Sequence, residues 1–75
     1  MDEGYIISNK FRRVIFAEIS SGETQIHHIA KKHRFILRVT HRIVDDLEKN
    51  LLIQKQGNGY VLTEKGKKLK ESIGV

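Results

Sequence analysis

The sequence predicts a mostly helical α+β fold with three helices, a two-stranded β-hairpin and a short C-terminal helix. Over residues 8–49 apolar side chains recur every three or four positions, which is the period of an amphipathic helix. Beyond residue 50 the period shortens to two on both sides of Gly57-Asn58-Gly59, and an Asn-Gly pair favours a hairpin turn. The chain has 75 residues. We expect residues 8–75 to form a single domain and residues 1–7 to be an N-terminal tail or short strand.

The first predicted helix covers residues 8–20, with Ser8 as its N-cap. Phe11, Ile15 and Ile19 are spaced four positions apart, so they share one apolar face. Gly22 follows, and glycine readily takes the left-handed conformation that closes many helices.

Two further helices, joined by a tight turn, are predicted next. The second begins after an N-cap at Thr24, and the turn spans about residues 33–35. The third covers residues 36–49 and ends at Asn50 in the left-handed conformation. One face of this third helix is apolar and consists of Ile36, Val39, Thr40, Ile43 and Leu47. The other face is polar and consists of Arg38, His41, Arg42 and Asp45.

The remaining elements are a hairpin and a final helix. The hairpin strands are predicted at residues 51–56 and 60–63, and the helix at residues 64–73 with Thr63 as N-cap. Leu69 and Ile73 form the apolar stripe of this helix, which suits packing against the core.

Basic residues are concentrated in one part of the chain. The net charge is +5, and residues 24–42 contain no acidic side chain. This stretch includes five Lys and Arg residues and all four histidines, Lys31, Lys32, Arg34, Arg38, Arg42, His27, His28, His33 and His41. A basic, acid-free helical pair suits a phosphate backbone, although lysine-rich surfaces also serve solubility.

This order of elements resembles the winged helix-turn-helix superfamily, in the style of MarR-like and ArsR-like transcription regulators. The resemblance covers roughly residues 8–73. Its motifs are Ile29-Ala30-Lys31-Lys32 in the first motif helix, Asp46-Leu47-Glu48-Lys49-Asn50-Leu51-Leu52-Ile53 at the end of the recognition helix, and Leu62-Thr63-Glu64-Lys65-Gly66-Lys67-Lys68-Leu69 after the wing. The family usually has glycine where Leu51 stands. It also usually offers polar side chains where Ile36 and Leu37 stand.

The resemblance implies a double-stranded DNA-binding protein, a small transcription regulator whose helix 36–49 enters the major groove. Arg38, His41 and Arg42 are then the groove-facing candidates, because arginine presents a donor fork that suits guanine or phosphate. The alternative interpretation of these three residues is a solvated polar face.

Phosphate contacts are assigned to Lys31, Lys32 and Arg34, although cations at a helix C-terminus also stabilise the helix dipole without a ligand. The hairpin 52–63 would be the wing, with Lys55 as a further phosphate contact and Gln56 and Asn58 at its tip.

Other function classes are disfavoured. With no cysteine, and no carboxylate within residues 24–42, metal ligands are scarce, and we expect no metal site and no cofactor. No nucleophile–base arrangement or glycine-rich phosphate loop points to an enzyme. RNA binding ranks last because the sequence offers no aromatic platform. No apolar run approaches the about 18 residues that span a bilayer, and the acidic N-terminus is unlike a secretory signal, so we expect a cytoplasmic protein with no membrane partner.

The main rival is a winged helix protein–protein interaction module that uses an Ile36/Leu37/Val39 surface. Burial of Ile36 and Leu37 in the core would favour DNA, whereas their exposure as a patch would favour a protein partner. A homodimer is also possible, and Tyr5-Ile6-Ile7 is the spare apolar segment that could form its contact.

Overall fold

The computed structural model describes residues 2–74, and its elements follow the predicted order with one helix added at the N-terminus. The helices are α1 (Asp2–Ile7), α2 (Lys10–Ser20), α3 (Ile26–His33), α4 (Leu37–Lys49) and α5 (Glu64–Ile73). The strands β1 (Ile53–Gln56) and β2 (Gly59–Leu62) pair antiparallel between α4 and α5. The predicted fold class, with three helices, a hairpin and a closing helix, is confirmed.

Residues 2–7 form a helix, so the expectation of a tail or short strand is wrong for them, and Met1 lies outside the described residues. Ile6 is fully buried in the core, and Tyr5 packs beneath the guanidinium of Arg12, 4.2 Å from the ring centroid. Tyr5-Ile6-Ile7 is therefore not spare apolar surface, although Ile7 itself is exposed. A short apolar run does not reveal its own secondary structure, because periodicity cannot separate a strand from a buried helical turn.

Two predicted N-caps are displaced by one residue. Asn9, not Ser8, caps α2, and its side chain accepts the N–H of Arg12 at 3.1 Å. Gln25, not Thr24, is the N-cap residue of α3. The carbonyl oxygen of Thr24 instead accepts the N–H of Tyr60 at 3.0 Å, which ties the start of α3 to the wing.

Three helices end in the same hydrogen-bonded motif, and in each case one residue has a positive φ. Gly22 closes α2 with φ 108°, Arg34 closes α3 with φ 57°, and Leu51 closes α4 with φ 62°. After each of these residues the next N–H donates to a carbonyl five residues back, at 2.8 to 3.1 Å. This is the Schellman arrangement, which usually places glycine at the positive-φ position. The predicted left-handed stop at Asn50 is therefore wrong, since Asn50 has φ −84° and Leu51 takes that role.

The final helix has the predicted bounds, whereas β1 begins two residues later than predicted and Gly59 belongs to β2 instead of the turn. Gln56 pairs with Gly59, so Gly57-Asn58 forms a two-residue turn. Thr63 caps α5, and its side-chain oxygen accepts the N–H of Gly66 at 3.0 Å.

The core lies between all five helices and the inner face of the wing. Its fully buried members include Ile15, Phe16, Ile29, Val44, Leu47 and Leu52. On α4, Thr40, Ile43 and Leu47 are buried as predicted, and the Thr40 hydroxyl donates to the carbonyl oxygen of Ile36 at 3.1 Å. The predicted apolar face is shorter than expected at its N-terminal end, because Ile36 and Val39 remain outside the core.

Candidate nucleic-acid interface

The outward face of α4 is basic in its N-terminal half. Arg38, His41 and Arg42 are all exposed, and their spacing of three and four residues places them side by side on the helix surface. Within residues 2–74 neither guanidinium forms an ion pair, so both remain available to an anion. Thr40, Ile43 and Val44 hold the opposite face of the helix in the core and fix this orientation.

The turn between α3 and α4 presents Arg34 through an unusual backbone conformation. Arg34 has φ 57°, and the N–H of Phe35 returns to the carbonyl oxygen of Ala30 at 2.8 Å. The Arg34 side chain is exposed, as is that of Lys31 in the last turn of α3. In the chain both cations come shortly before α4, Lys31 in the last turn of α3 and Arg34 in the turn that follows.

Lys32 differs from its neighbours because it is already paired. Its ammonium lies 2.9 Å from Glu18 Oε2, and His33 Nε2 lies 2.6 Å from the same oxygen. The Glu18 side chain is only 14% exposed. Hydrogen bonds from Lys32 and then from His33 lower the pKa of Glu18 from its ordinary value of 4.5. Lys32 thus forms an ion pair within the protein, while its side chain remains 67% exposed.

Glu18 is a residue that the sequence interpretation missed. It is the one acidic residue of α2, and it bonds to a histidine fifteen positions away on another helix. The position of Glu18 as a lone acid among basic and apolar neighbours could have marked it as an ion-pair candidate. Its partners Lys32 and His33 could not be predicted, because they depend on how α2 packs against α3.

The predicted wing residues lie together on the hairpin. Lys55 and Gln56 are exposed on β1, and Asn58 is exposed in the turn. The wing is held against α3 by the bond between Tyr60 and Thr24.

The aliphatic residues at the start of α4 are exposed. Ile36 is 66% and Leu37 is 45% exposed, and Val39 is also outside the core. Exposed apolar side chains often mark interaction sites, so the exposure of Ile36 and Leu37 favours a protein partner at that face.

The exposed aliphatic residues at the start of α4 do not all line the same groove. Ile36 and Val39 line a groove of about 210 Å³ together with Phe11, Phe35 and Arg34. Leu37 does not line this groove. Helical residues are about 100° apart, so residues 37 and 39 lie on opposite flanks of α4.

The family comparison matches almost the whole described chain. A family model described as winged helix-turn-helix matches residues 4–74. No curated protein and no solved structure matches the chain. None of the helices within residues 2–74 is long and apolar enough to cross a membrane. Over the same residues no three His, Cys, Asp or Glu side chains are grouped as metal ligands.

Proposed function

We propose that this chain, which belongs to the winged helix-turn-helix family, binds double-stranded DNA and acts as a small cytoplasmic transcription regulator. The observation that carries the proposal is the exposed, unpaired basic face of α4, formed by Arg38, His41 and Arg42. In this family fold the second motif helix enters the major groove, where its N-terminal residues approach base edges. Arginine can contact either guanine or phosphate there.

Phosphate contacts would hold the domain in position around this helix. Lys31 and Arg34 are exposed in the segment that leads into α4, and Lys55 is exposed on the wing. Lys32 should contribute less than the sequence suggests, because Glu18 balances its charge at 2.9 Å. Contacts of this kind position a protein on the duplex but carry no sequence information.

The two ends of α4 differ in charge, which orients the helix in the groove. The N-terminal half carries Arg38 and Arg42, whereas Asp45, Asp46 and Glu48 follow in the C-terminal half. The acidic end would be repelled by phosphates. The N-terminal end of α4 should therefore lie deepest in the groove.

The decisive experiment compares DNA affinities of variants with equal charge loss. Arg38→Ala/Arg42→Ala should weaken duplex binding at least about thirtyfold, since each base-contacting arginine contributes about 1–3 kcal/mol. Lys67→Ala/Lys68→Ala removes two exposed charges from α5 and is the matched control, with a much smaller expected effect. An unchanged affinity in the arginine variant would overturn the assignment of α4 as the DNA-contacting helix.

A second candidate function is a protein-interaction module, favoured by the groove between Phe11, Ile36 and Val39. Arg34 lines the same groove, so the matching partner would present an apolar side chain beside a carboxylate. NMR titration with a synthetic helical peptide of leucines flanked by glutamates would test this candidate. Saturable shifts of the Phe11 and Phe35 rings, removed by Val39→Ser, would support it. Unaffected rings would eliminate it.

A further inference from the structure

The first turn of α4 begins with an exposed leucine. Leu37 is the first residue of the helix and is 45% exposed. A single exposed leucine is ordinary on a protein surface. Leu37, however, directly precedes Arg38 at the end of the helix that this fold directs toward base edges. Its place in the fold makes it a candidate for contact with a base.

Leu37 lies outside the apolar groove, on the flank of α4 that also carries His41. It lines neither of the two cavities described within residues 2–74. His41 follows it by four residues, so the two side chains are neighbours on one flank of α4. His41 in turn adjoins Arg38 and Arg42. Leu37 therefore extends the proposed groove-facing surface with an apolar contact at its N-terminal end.

The base edges of the major groove offer one apolar group that matches such a side chain. This group is the C5 methyl of thymine, which 5-methylcytosine also carries. A leucine side chain neither donates nor accepts a hydrogen bond, so it would displace water from a polar base edge without replacing the lost bonds. Contact with a methyl group avoids that loss and buries apolar surface on both sides.

We propose that Leu37 contacts the C5 methyl group of a pyrimidine in the major groove, so that the chain prefers duplexes that carry this methyl. The inference rests on the proposed entry of α4 into the groove. It assigns Leu37 a role in specificity, next to the hydrogen-bonding and electrostatic contacts of Arg38.

The test uses two duplexes that differ in the methyl group and are independent of register. One alternates adenine with thymine, and the other alternates adenine with uracil, which keeps the hydrogen-bonding edge of thymine. The wild-type chain should bind the thymine duplex about fourfold more tightly, the factor expected for burying one methyl-sized group. Leu37→Ala should bind the two duplexes equally.

Controls separate this contact from other effects of truncation. Leu51→Ala shortens another exposed leucine, at the opposite end of α4, and should keep the wild-type preference for thymine. Circular dichroism should report an unchanged helix content for Leu37→Ala, because the side chain lies outside the core.

The experiment distinguishes failure of the methyl contact from failure of DNA binding itself. Equal, salt-sensitive binding of both duplexes by the wild type would overturn the methyl contact while DNA binding stands. Binding to neither duplex would overturn both. A thymine preference that survives in Leu37→Ala would overturn the assignment to Leu37. An alternating guanine–cytosine duplex, with or without 5-methylcytosine, then shows whether the methyl group is read on either base or on thymine alone.

Discussion

Leu51 has a backbone conformation that its side chain disfavours. Its φ is 62°, and the N–H groups of Leu51 and Leu52 donate to Glu48 and Leu47 at 2.9 and 3.1 Å. The left-handed region costs an L-residue about 1–2 kcal/mol, because Cβ approaches the following carbonyl oxygen. The side chain is 66% exposed and recovers little of that cost through packing. The buried pair Leu47 and Leu52 holds this turn in place.

Replacing Leu51 with glycine should stabilise the protein. Leu51→Gly should raise the free energy of unfolding by about 1 kcal/mol, because glycine adopts positive φ without a steric penalty. Leu51→Ala is the matched control, since it removes the exposed side chain but keeps Cβ. Urea denaturation of both variants would measure the difference. A glycine variant no more stable than the alanine variant would show that the turn is not strained.

At the scale of elements, Glu18 links α2 to the end of α3. Its Oε2 atom accepts hydrogen bonds from Lys32 Nζ at 2.9 Å and from His33 Nε2 at 2.6 Å. These bonds lower the pKa of Glu18 below 4.5. A carboxyl group with a lowered pKa in the folded state stabilises the fold at pH values above its unfolded pKa. That contribution is lost as the pH falls through the folded pKa.

Glu18→Gln should therefore reduce stability in a pH-dependent way. At neutral pH the loss should be about 1–2 kcal/mol, which is lower than for a fully buried charged hydrogen bond because the Lys32 side chain is 67% exposed and solvent screens the pair. The difference from wild type should shrink as the pH falls below 4.5 and the wild-type carboxylate is protonated. Thermal denaturation across pH would measure it, with exposed Glu71→Gln as the control. A loss that stays constant down to about pH 2 would contradict the ionic contribution.

The contact between α5 and the start of the wing depends on a glycine. A Cβ at Gly66 would overlap the carbonyl oxygen of Leu52 and crowd a methyl group of Leu62. Gly4 in α1, by comparison, has no atom within 4 Å of the position that its Cβ would take.

Alanine at these two glycines should have opposite effects. In open helical space alanine is favoured over glycine by about 1 kcal/mol, so Gly4→Ala should leave stability unchanged or raise it. Gly66→Ala should lower the free energy of unfolding by about 2 kcal/mol, because α5 must shift away from the wing. Chemical denaturation of the pair gives the comparison. Equal effects would show that α5 accommodates the methyl group without strain.

The sequence was sufficient to predict the elements that are specified by residues close together in the chain. The Thr63-capped helix was predicted with its observed bounds, and the hairpin was placed correctly around Gly57-Asn58, because capping and turn chemistry act within a few positions. The first strand begins two residues later than predicted, because Leu51 and Leu52 belong to the turn that ends α4. The displaced cap at Thr24 could not be predicted, since its carbonyl bonds to Tyr60 in the wing. The exposure of Arg38 followed from helical period, whereas the pairing of Lys32 depends on tertiary contact with Glu18.

For the whole molecule, the distribution of charge matters more than its total. The net charge is +5, but residues 24–42 carry basic groups without a single carboxylate. Two acidic residues from outside this stretch contact it: Glu18 pairs with Lys32 and His33, and Glu23 lies 3.6 Å from His28. Among residues 2–74, Lys31 forms no ion pair. The neighbouring residues Lys31 and Lys32 of α3 therefore allow the DNA contribution of an unpaired lysine to be compared with that of a lysine in an ion pair.

The salt dependence of DNA affinity should differ between variants of Lys31 and of Lys32. If about six phosphates are neutralised, log K should fall with log salt at a slope of roughly −5, because each contact releases condensed counterions. Lys31→Ala should reduce the magnitude of the slope by about 1. Lys32→Ala should reduce it less, since its ammonium is held 2.9 Å from Glu18. Fluorescence anisotropy with a fixed duplex across a salt series would measure all three slopes. Equal reductions would mean that Lys32 leaves Glu18 when DNA binds, and a flat wild-type response would contradict the electrostatic mode of docking.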